Sequence, residues 1–376
     1  MIKRMRNNRY FFSSARRLKI FFALGRTPEP VYGGMMEEIG VGGVETAYIE
    51  LAKYMADLGH SVYLFSFCQD EHIHDGVNYI PYESFQEYCK LNPDVIVSSR
   101  WFDAFYFVDC LKILWLQDAF FQDPQKPDTF QIVKGIVCSS FWHRGYIAER
   151  FRDSIDAKKI RIIPLSVDRS AFSIPMVKES RKAIYSSNPS RGLDELFSMW
   201  KEITEKVPGI HLDICYGWEG LSTWDSSEHW QKWISDQKKK LEGFAKEVGN
   251  VHFLGRLRKK ELYAVQNTAR VCLYPNTFWE TFALTGIECQ LAGTPMITSD
   301  LGALSTTMSH DGNILLPGDP RGEVYCKNFI DATVRLFTDD RLWGAMSNAC
   351  RGHANFNFPS WEAVALLWQQ LFWELM

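Results

Sequence analysis

The stretch Trp279-Glu280-Thr281-Phe282-Ala283-Leu284-Thr285-Gly286-Ile287-Glu288, followed by Leu291-Ala292-Gly293-Thr294-Pro295-Met296-Ile297, sets two glutamates eight positions apart. The residues between them are apolar, small or hydroxylic. Their spacing predicts a helix over 281–291, entered from an apolar strand over 271–274 and left through Gly293-Thr294-Pro295 into a second strand. Glu280 then lies at the mouth of the helix, and Glu288 about two turns in on a similar face. Backbone N–H groups at a helix start attract phosphate. A carboxylate beside that start accepts hydrogen bonds from hydroxyls. The combination suits a ligand bearing both phosphates and hydroxyls, such as a nucleotide sugar.

The same alternation runs outward in both directions. Apolar runs at 19–24, 61–67, 95–98, 113–116, 135–139 and 161–164 read as strands, with a helix over 45–58 between the first two (Ala47, Leu51, Ala52 and Met55 at helical spacing) that stops at Gly59. Further strands are expected at 183–186, 211–216, 251–254, 271–274, 295–298 and 313–316. Helices are expected at 193–205, 230–247, 259–269 and 281–291. Strands alternating with helices give an α/β fold with parallel, doubly wound sheets. A chain of 376 residues exceeds a typical single core, so two domains are expected, with the hinge near Val167-Asp168-Arg169. The division is residues 1–168, residues 169–358 and an amphipathic tail over 359–376 bearing Trp361, Val364, Leu367, Trp368, Leu371 and Phe372.

Hydrophobic content of 46% and charged content of 23% describe an ordinary globular protein, and a net charge of -3 argues against a nucleic-acid partner. The nine cysteines are scattered, odd in number and without a Cys-x-x-Cys pair, which reads as free thiols in a reducing compartment, so a cytoplasmic setting is expected. No apolar run has membrane-spanning length. Lys3, Arg4, Arg6, Arg9, Arg16, Arg17 and Lys19 make the N-terminus basic. It reads as a solvated tail, with peripheral contact to a membrane surface or an anionic acceptor as the sharper alternative.

Three further constellations bear on chemistry. Gly40-Val41-Gly42-Gly43-Val44-Glu45 opens the first helix and lets backbone approach an anion, though its spacing is not that of a nicotinamide site. Gly33-Gly34 stands before it as part of the same rim. Tyr185-Ser186-Ser187-Asn188-Pro189-Ser190-Arg191-Gly192 follows the first strand of the second domain and sets Arg191 where a guanidinium can meet a diphosphate. Phe253-Leu254-Gly255-Arg256-Leu257 offers Arg256 as another cation, with Arg258, Lys259 and Lys260 as the solvated start of a helix.

In order along nearly its whole length, the chain resembles glycosyltransferase family 4, the retaining nucleotide-sugar transferases of GT-B fold. The matching segments are Gly42-Gly43-Val44-Glu45, Glu50-Leu51-Ala52, Leu58-Gly59-His60-Ser61-Val62, Ile162-Ile163-Pro164 with Val167-Asp168, and Glu280 to Glu288 with Gly293 and Pro295. The resemblance implies two Rossmann-like domains facing a central cleft, with the C-terminal helix returning to the first. It implies that Glu280 contacts donor-sugar hydroxyls and Glu288 the ribose. Gly42, Gly43 and the backbone of Phe282, Ala283 and Leu284 would face the diphosphate, with Arg191 and Arg256 as its cations. Activity would be hexosyl transfer from a UDP-, GDP- or ADP-sugar to a glycan, a lipid-linked molecule or another hydroxyl acceptor. No cofactor is implied. The absence of an Asp-x-Asp triplet argues for no metal, and His72 and His74 alone do not complete a metal shell.

The chain departs from the family in four places. Ser186-Ser187 stands where Gly-Arg is usual, and Arg191-Gly192 where Lys-Gly is usual. Gln117, with Asp118 beside it, replaces a histidine that lines the donor sugar, and Ala283 replaces a glycine, a mild change. His143 reads as structural. The aromatic run Trp101, Phe102, Phe105, Tyr106 and Phe107, and the pair Phe120-Phe121, read equally as core or as an acceptor groove. A catalytically weak glycan- or nucleotide-binding protein, or an epimerase or phosphorylase on the same fold, are the alternatives.

Overall fold

In a computed structural model, described here for residues 16–121, 126, 128–218, 221, 226–308 and 310–376, the chain builds two parallel sheets. The first contains β1 (Lys19–Gly25), β2 (Ser61–Ser66), β3 (His72–His74), β4 (Val77–Pro81), β5 (Val95–Ser98), β6 (Leu111–Trp115), β7 (Gly135–Cys138) and β8 (Ile160–Ile162), in spatial order β3-β4-β2-β1-β5-β6-β7-β8. The second contains β9 (Lys182–Tyr185), β10 (His211–Ile214), β11 (Val251–Phe253), β12 (Val271–Tyr274), β13 (Met296–Ser299) and β14 (Ile314–Leu316), in order β11-β10-β9-β12-β13-β14. Both orders reverse direction beside their first strand, and the crevice at such a switch point is where open α/β sheets bind ligands.

The helices that cover these sheets include α1 (Gly43–Asp57), α2 (Phe141–Arg150), α3 (Leu193–Lys206), α4 (Glu228–Val248), α5 (Lys259–Thr268), α6 (Leu284–Ala292), α7 (Glu323–Thr338), α8 (Asp340–Asn357) and α9 (Trp361–Leu375). Strand β1 shows why the sheet must be covered twice. Ile20, Phe22 and Leu24 enter the core on one face, and Phe21 and Ala23 enter a separate core on the other. A strand buried on both faces reads as a continuous apolar run, which is the pattern of 19–24.

One pairing departs from the sequence reading. The segment His72-Ile73-His74 pairs antiparallel with β4, in register His72↔Tyr79, at the edge of the first sheet. The His72 ring stacks on Tyr79 at 5.0 Å and its Nε2 accepts the Gly33 N–H at 2.9 Å. His72 is thus a structural clasp on the Gly33-Gly34 loop. The aromatic run divides. Phe105 is fully buried in the second core, and Trp101, Phe102 and Tyr106 pack against that core. All nine cysteines are free thiols. No helix among the described residues is long and apolar enough to cross a membrane. The basic residues Lys3 to Arg9 lie outside the described residues, while Arg16 pairs with Asp94 at 2.6 Å.

Helix α9 belongs by sequence to the end of the chain and by contact to the first sheet. Ser360 caps it by accepting the Ala363 N–H. Trp368, fully buried, meets Trp115 with ring centroids 5.0 Å apart, and Leu375 sits over Gly135. The Ser166 hydroxyl donates to the Pro359 carbonyl at 2.7 Å, fixing the point where the chain crosses back. Truncating Trp368 to alanine is expected to cost about 4 kcal/mol, as for other large buried aromatics. It would be read as a lower midpoint of denaturant unfolding with far-UV ellipticity retained.

Candidate functional site

The C-terminal strand ends of the two sheets face each other, and the candidate residues other than Glu288, which lies within α6, stand in the loops that follow them. Gly42 and Gly43 lead from β1 into α1, Arg100 follows β5, Gln117 and Asp118 follow β6, and Ser139 and Ser140 follow β7. From the second domain come Ser186 to Arg191 after β9, Arg256 after β11, and Glu280 to Ala283 after β12.

The 280–283 loop is docked on the first domain by polar contacts. Thr281 Oγ1 donates to the Gln117 carbonyl at 2.6 Å, and the Thr281 carbonyl accepts from Ser140 Oγ at 2.7 Å and Ser139 Oγ at 3.1 Å. Ser140 is also the N-cap of α2, accepting the His143 N–H at 3.1 Å. An aromatic seam runs beside this contact. The Trp279 ring touches those of Phe120, Trp142 and Tyr146 at 5.9, 5.7 and 5.6 Å. Phe120 therefore lies in the cleft, whereas Phe121 stacks on Phe151.

Glu280 is buried and accepts from two donors, Arg191 at 2.8 Å and the Tyr274 hydroxyl at 2.6 Å. Tyr274 in turn accepts from Ser187 at 3.1 Å, and Ser186 shares a short hydrogen bond with Thr285 in the first turn of α6. The two serines thus carry a hydroxyl chain where the family usually places a cation. Arg191 also lies over the Phe278 ring at 4.1 Å. Burial works most strongly against its charge, but the Glu280 carboxylate, Tyr274 and Tyr216 together outweigh burial and hold the guanidinium above its ordinary range.

Glu288, 2% exposed, accepts from Lys259 at 2.9 Å and from the Gln266 amide at 2.9 Å. Lys259 is therefore a partner of the cleft and not part of a solvated helix start. Only Arg258 of that run pairs outward, with Glu261. The sequence signal for Lys259 was its place in the first turn of a helix whose glutamine, Gln266, faces the same way. Arg256 crosses the cleft to Glu29 and lies against Gly40. Asp118 takes both Nε and Nη2 of Arg100 at 2.7 Å. Four cations thus stand in or beside the cleft, each paired with a carboxylate. Burial raises the pKa of Glu45, and Arg100 and Arg256 offset this in part.

Helix α6 begins at Leu284, later than the sequence spacing suggested, so Glu288 lies about one turn inside it. The delay comes from Ala283, whose backbone is left-handed at φ 65°. Glycine adopts this conformation freely and alanine does not, so the exchange is a strained one. Neither α6 nor α1 has a side-chain cap at its N-terminus, and a Cβ on Gly43 would lie 3.5 Å from Leu284. Two uncapped helix starts therefore meet across the cleft. The side-chain amide of Gln117, 7% exposed, has neither its nitrogen nor its oxygen hydrogen-bonded. No group of three His, Cys, Asp or Glu side chains among the described residues is placed to hold a metal.

The sequence model of the family described as Glycosyl transferases group 1 matches residues 187–339, the stretch that supplies Arg191, Arg256, Glu280 and Glu288. Residues 187–339 form a group 1 glycosyltransferase domain. The resemblance read from the motifs agrees with this. A D-inositol 3-phosphate glycosyltransferase of Corynebacterium aurimucosum is 26% identical over 191 residues, 50% of this chain, and the match spans 41% of that relative's length. Among solved structures, sucrose-phosphate synthase from Thermosynechococcus elongatus superposes with a TM-score of 0.70 at 17% identity, over 96% of this chain and 99% of its own. Anabaena Alr3699/HepE in complex with UDP and glucose gives 0.69 at 14% identity, over 96% and 100%. The group 1 domain thus sits in a GT-B architecture of two Rossmann-like domains.

Two outcomes are expected of this site. Ala283→Gly relieves the left-handed alanine and should raise the urea midpoint, a gain of about 1 kcal/mol. His143 is fully buried, and burial pushes its imidazole down to about 4. In the unfolded chain it ionises near its ordinary value of about 6.5. Its contribution to stability is complete above that value and lost as pH falls toward 4. His143→Gln should flatten this part of a stability–pH curve measured by urea unfolding.

Proposed function

We propose that the protein is a retaining glycosyltransferase that moves a hexose-type sugar from a nucleoside-diphosphate sugar to a hydroxyl on a glycan or lipid-linked acceptor. One observation carries the reading. Glu280 and Glu288 flank the uncapped start of α6, which opens onto Gly43 and the start of α1. A diphosphate fits between the helix starts, where N–H groups and the helix dipoles favour negative charge. Glu288 then holds the ribose hydroxyls and Glu280 the sugar hydroxyls. The structures of Alr3699/HepE with UDP and with UDP-glucose support a nucleotide-sugar donor.

In the reaction, the acceptor oxygen bonds to the anomeric carbon on the face from which the diphosphate leaves. The bond from that carbon to the phosphate oxygen breaks, and the acceptor's proton passes to the departing phosphate oxygen. The protein's part is to stabilise the charge that grows on the diphosphate and to hold both substrates in line. Arg191, Arg256 and the two helix starts do the first, and the reading needs no metal. Gln117 does part of the second, because its unpartnered amide can both donate to and accept from a sugar hydroxyl. Asp118 stands beside it, fixed by Arg100.

The test is a panel of UDP-, GDP- and ADP-sugars screened by thermal shift and then by sugar release, on the wild type and Glu288→Ala. One donor class should raise the melting temperature, and Glu288→Ala should abolish the rise. Arg191→Ala should lower kcat by about 10²- to 10³-fold, as removal of a group that stabilises developing negative charge does. Silence toward every nucleotide sugar and every free nucleoside diphosphate would sink the donor site. Binding without release or transfer would leave a nucleotide-binding protein and remove the enzyme.

A further inference from the structure

The N-terminal edge of the second sheet, away from the cleft, holds a cavity of about 440 Å³ lined in part by Met176, Lys178, Arg270, Trp343, Ser347 and Arg351. Its place follows from the topology. Lys178 stands four residues before β9, Arg270 directly precedes β12, and Thr294, which accepts from Lys178 Nζ at 2.6 Å, precedes β13. Glu280 and Arg191 follow the opposite ends of these strands. An adjoining cavity of about 480 Å³ shares Arg351 and adds Arg169 and Asn355.

Three cations line the first cavity, and they are not equally satisfied. Arg270 has Asp340 at 2.6 Å, the Leu336 carbonyl at 2.9 Å and the Trp343 ring at 4.7 Å. Among the described residues, neither Lys178 nor Arg351 has a carboxylate partner. Besides Thr294, Lys178 donates to the Gln266 carbonyl at 3.3 Å, and Arg351 donates to the Ala292 carbonyl at 2.9 Å. Carbonyls and hydroxyls solvate a cation without neutralising it. Burial, and then repulsion from Arg351, pulls the Lys178 ammonium down to about 7. Arg351 is a positive charge with no counter-charge, Lys178 carries one in part near neutral pH, and an anion on the concave surface between them would favour both.

We propose that this cavity binds a small phosphate monoester, its phosphate held between Lys178 and Arg351 and its organic part against Trp343 and Met176. A guanidinium presents a fork of N–H donors that matches phosphate oxygens, and an ammonium adds a point charge beside it. The volume lies in the range of small-ligand sites, about 300–1,000 Å³. Ser347 also lines the cavity, and its buried hydroxyl donates to the Gly293 carbonyl at 2.6 Å. Of the cleft residues the cavity engages only the Gln266 backbone carbonyl, and none of the side chains assigned to the donor.

The experiment is calorimetric titration of the full chain with inorganic phosphate and, separately, with glucose 6-phosphate. The wild type is compared with Lys178→Met and Arg191→Ala. Saturable binding is expected, weakened about tenfold or more by Lys178→Met, because a charged hydrogen bond is lost, and unchanged within about twofold by Arg191→Ala. Tighter binding of glucose 6-phosphate than of inorganic phosphate supports the monoester, and equal or weaker binding overturns it. No saturable binding, or loss in Arg191→Ala alone, overturns the site itself. Lys178→Met keeps the apolar stem, and its melting curve checks its folding. Should it not fold, Arg351→Gln is read in the same way.

Discussion

Parallel strand pairing is the constraint from which the rest of this molecule follows. Among the described strands only β3 runs antiparallel to its neighbour. A parallel pair cannot be closed by a tight turn, so each return crosses a face of the sheet, and the outgoing ends of the strands collect on one edge. Loops at such an edge carry polar side chains that the covered faces would not tolerate. When two sheets set these edges opposite each other, residues distant in sequence become neighbours. Thr281 reaches the Gln117 carbonyl across 164 positions, and Arg256 reaches Glu29 across 227.

The cleft so formed is charged but locally neutral. Arg100, Arg191, Arg256 and Lys259 each meet a carboxylate, at Asp118, Glu280, Glu29 and Glu288. A low-dielectric crevice makes an unpaired ion costly, and each of these groups has its counter-charge in place. An anionic ligand must then exchange partners with them rather than simply add to them. For a ligand of the proposed class, selectivity would arise in that exchange. A ligand bearing only phosphates would take the cations and leave Glu280 with Tyr274 alone and Glu288 with Gln266 alone, whereas one that also bears hydroxyls would replace the lost donors.

Much of this was legible in the sequence. Strands buried on two faces announce themselves as apolar runs, and β5 and β12 fall at their expected limits. The glutamate pair and its helix were legible because their spacing is local. The β3–β4 hairpin was not, since His72-Ile73-His74 alternates at a polar sheet edge where no apolar run marks a strand. The start of α6 was misplaced because a left-handed alanine has no local signature; only glycine advertises that conformation. The partnership of Lys259 with Glu288 spans 29 positions and depends on how α5 lies against α6, which periodicity within either helix does not encode. The unsatisfied amide of Gln117 is likewise visible only once its surroundings are known.

The course of the chain has a mechanical consequence. It passes from the first sheet to the second between β8 and β9, and returns where Ser166 holds the Pro359 carbonyl ahead of α9. Two covalent crossings side by side act like the two pins of a door. Such a pair would resist swivelling of one half about a single tether more than it would resist opening and closing. Glu280 and Gln117, on opposite leaves, would then meet along a repeatable path, and their alignment would survive each turn of the hinge.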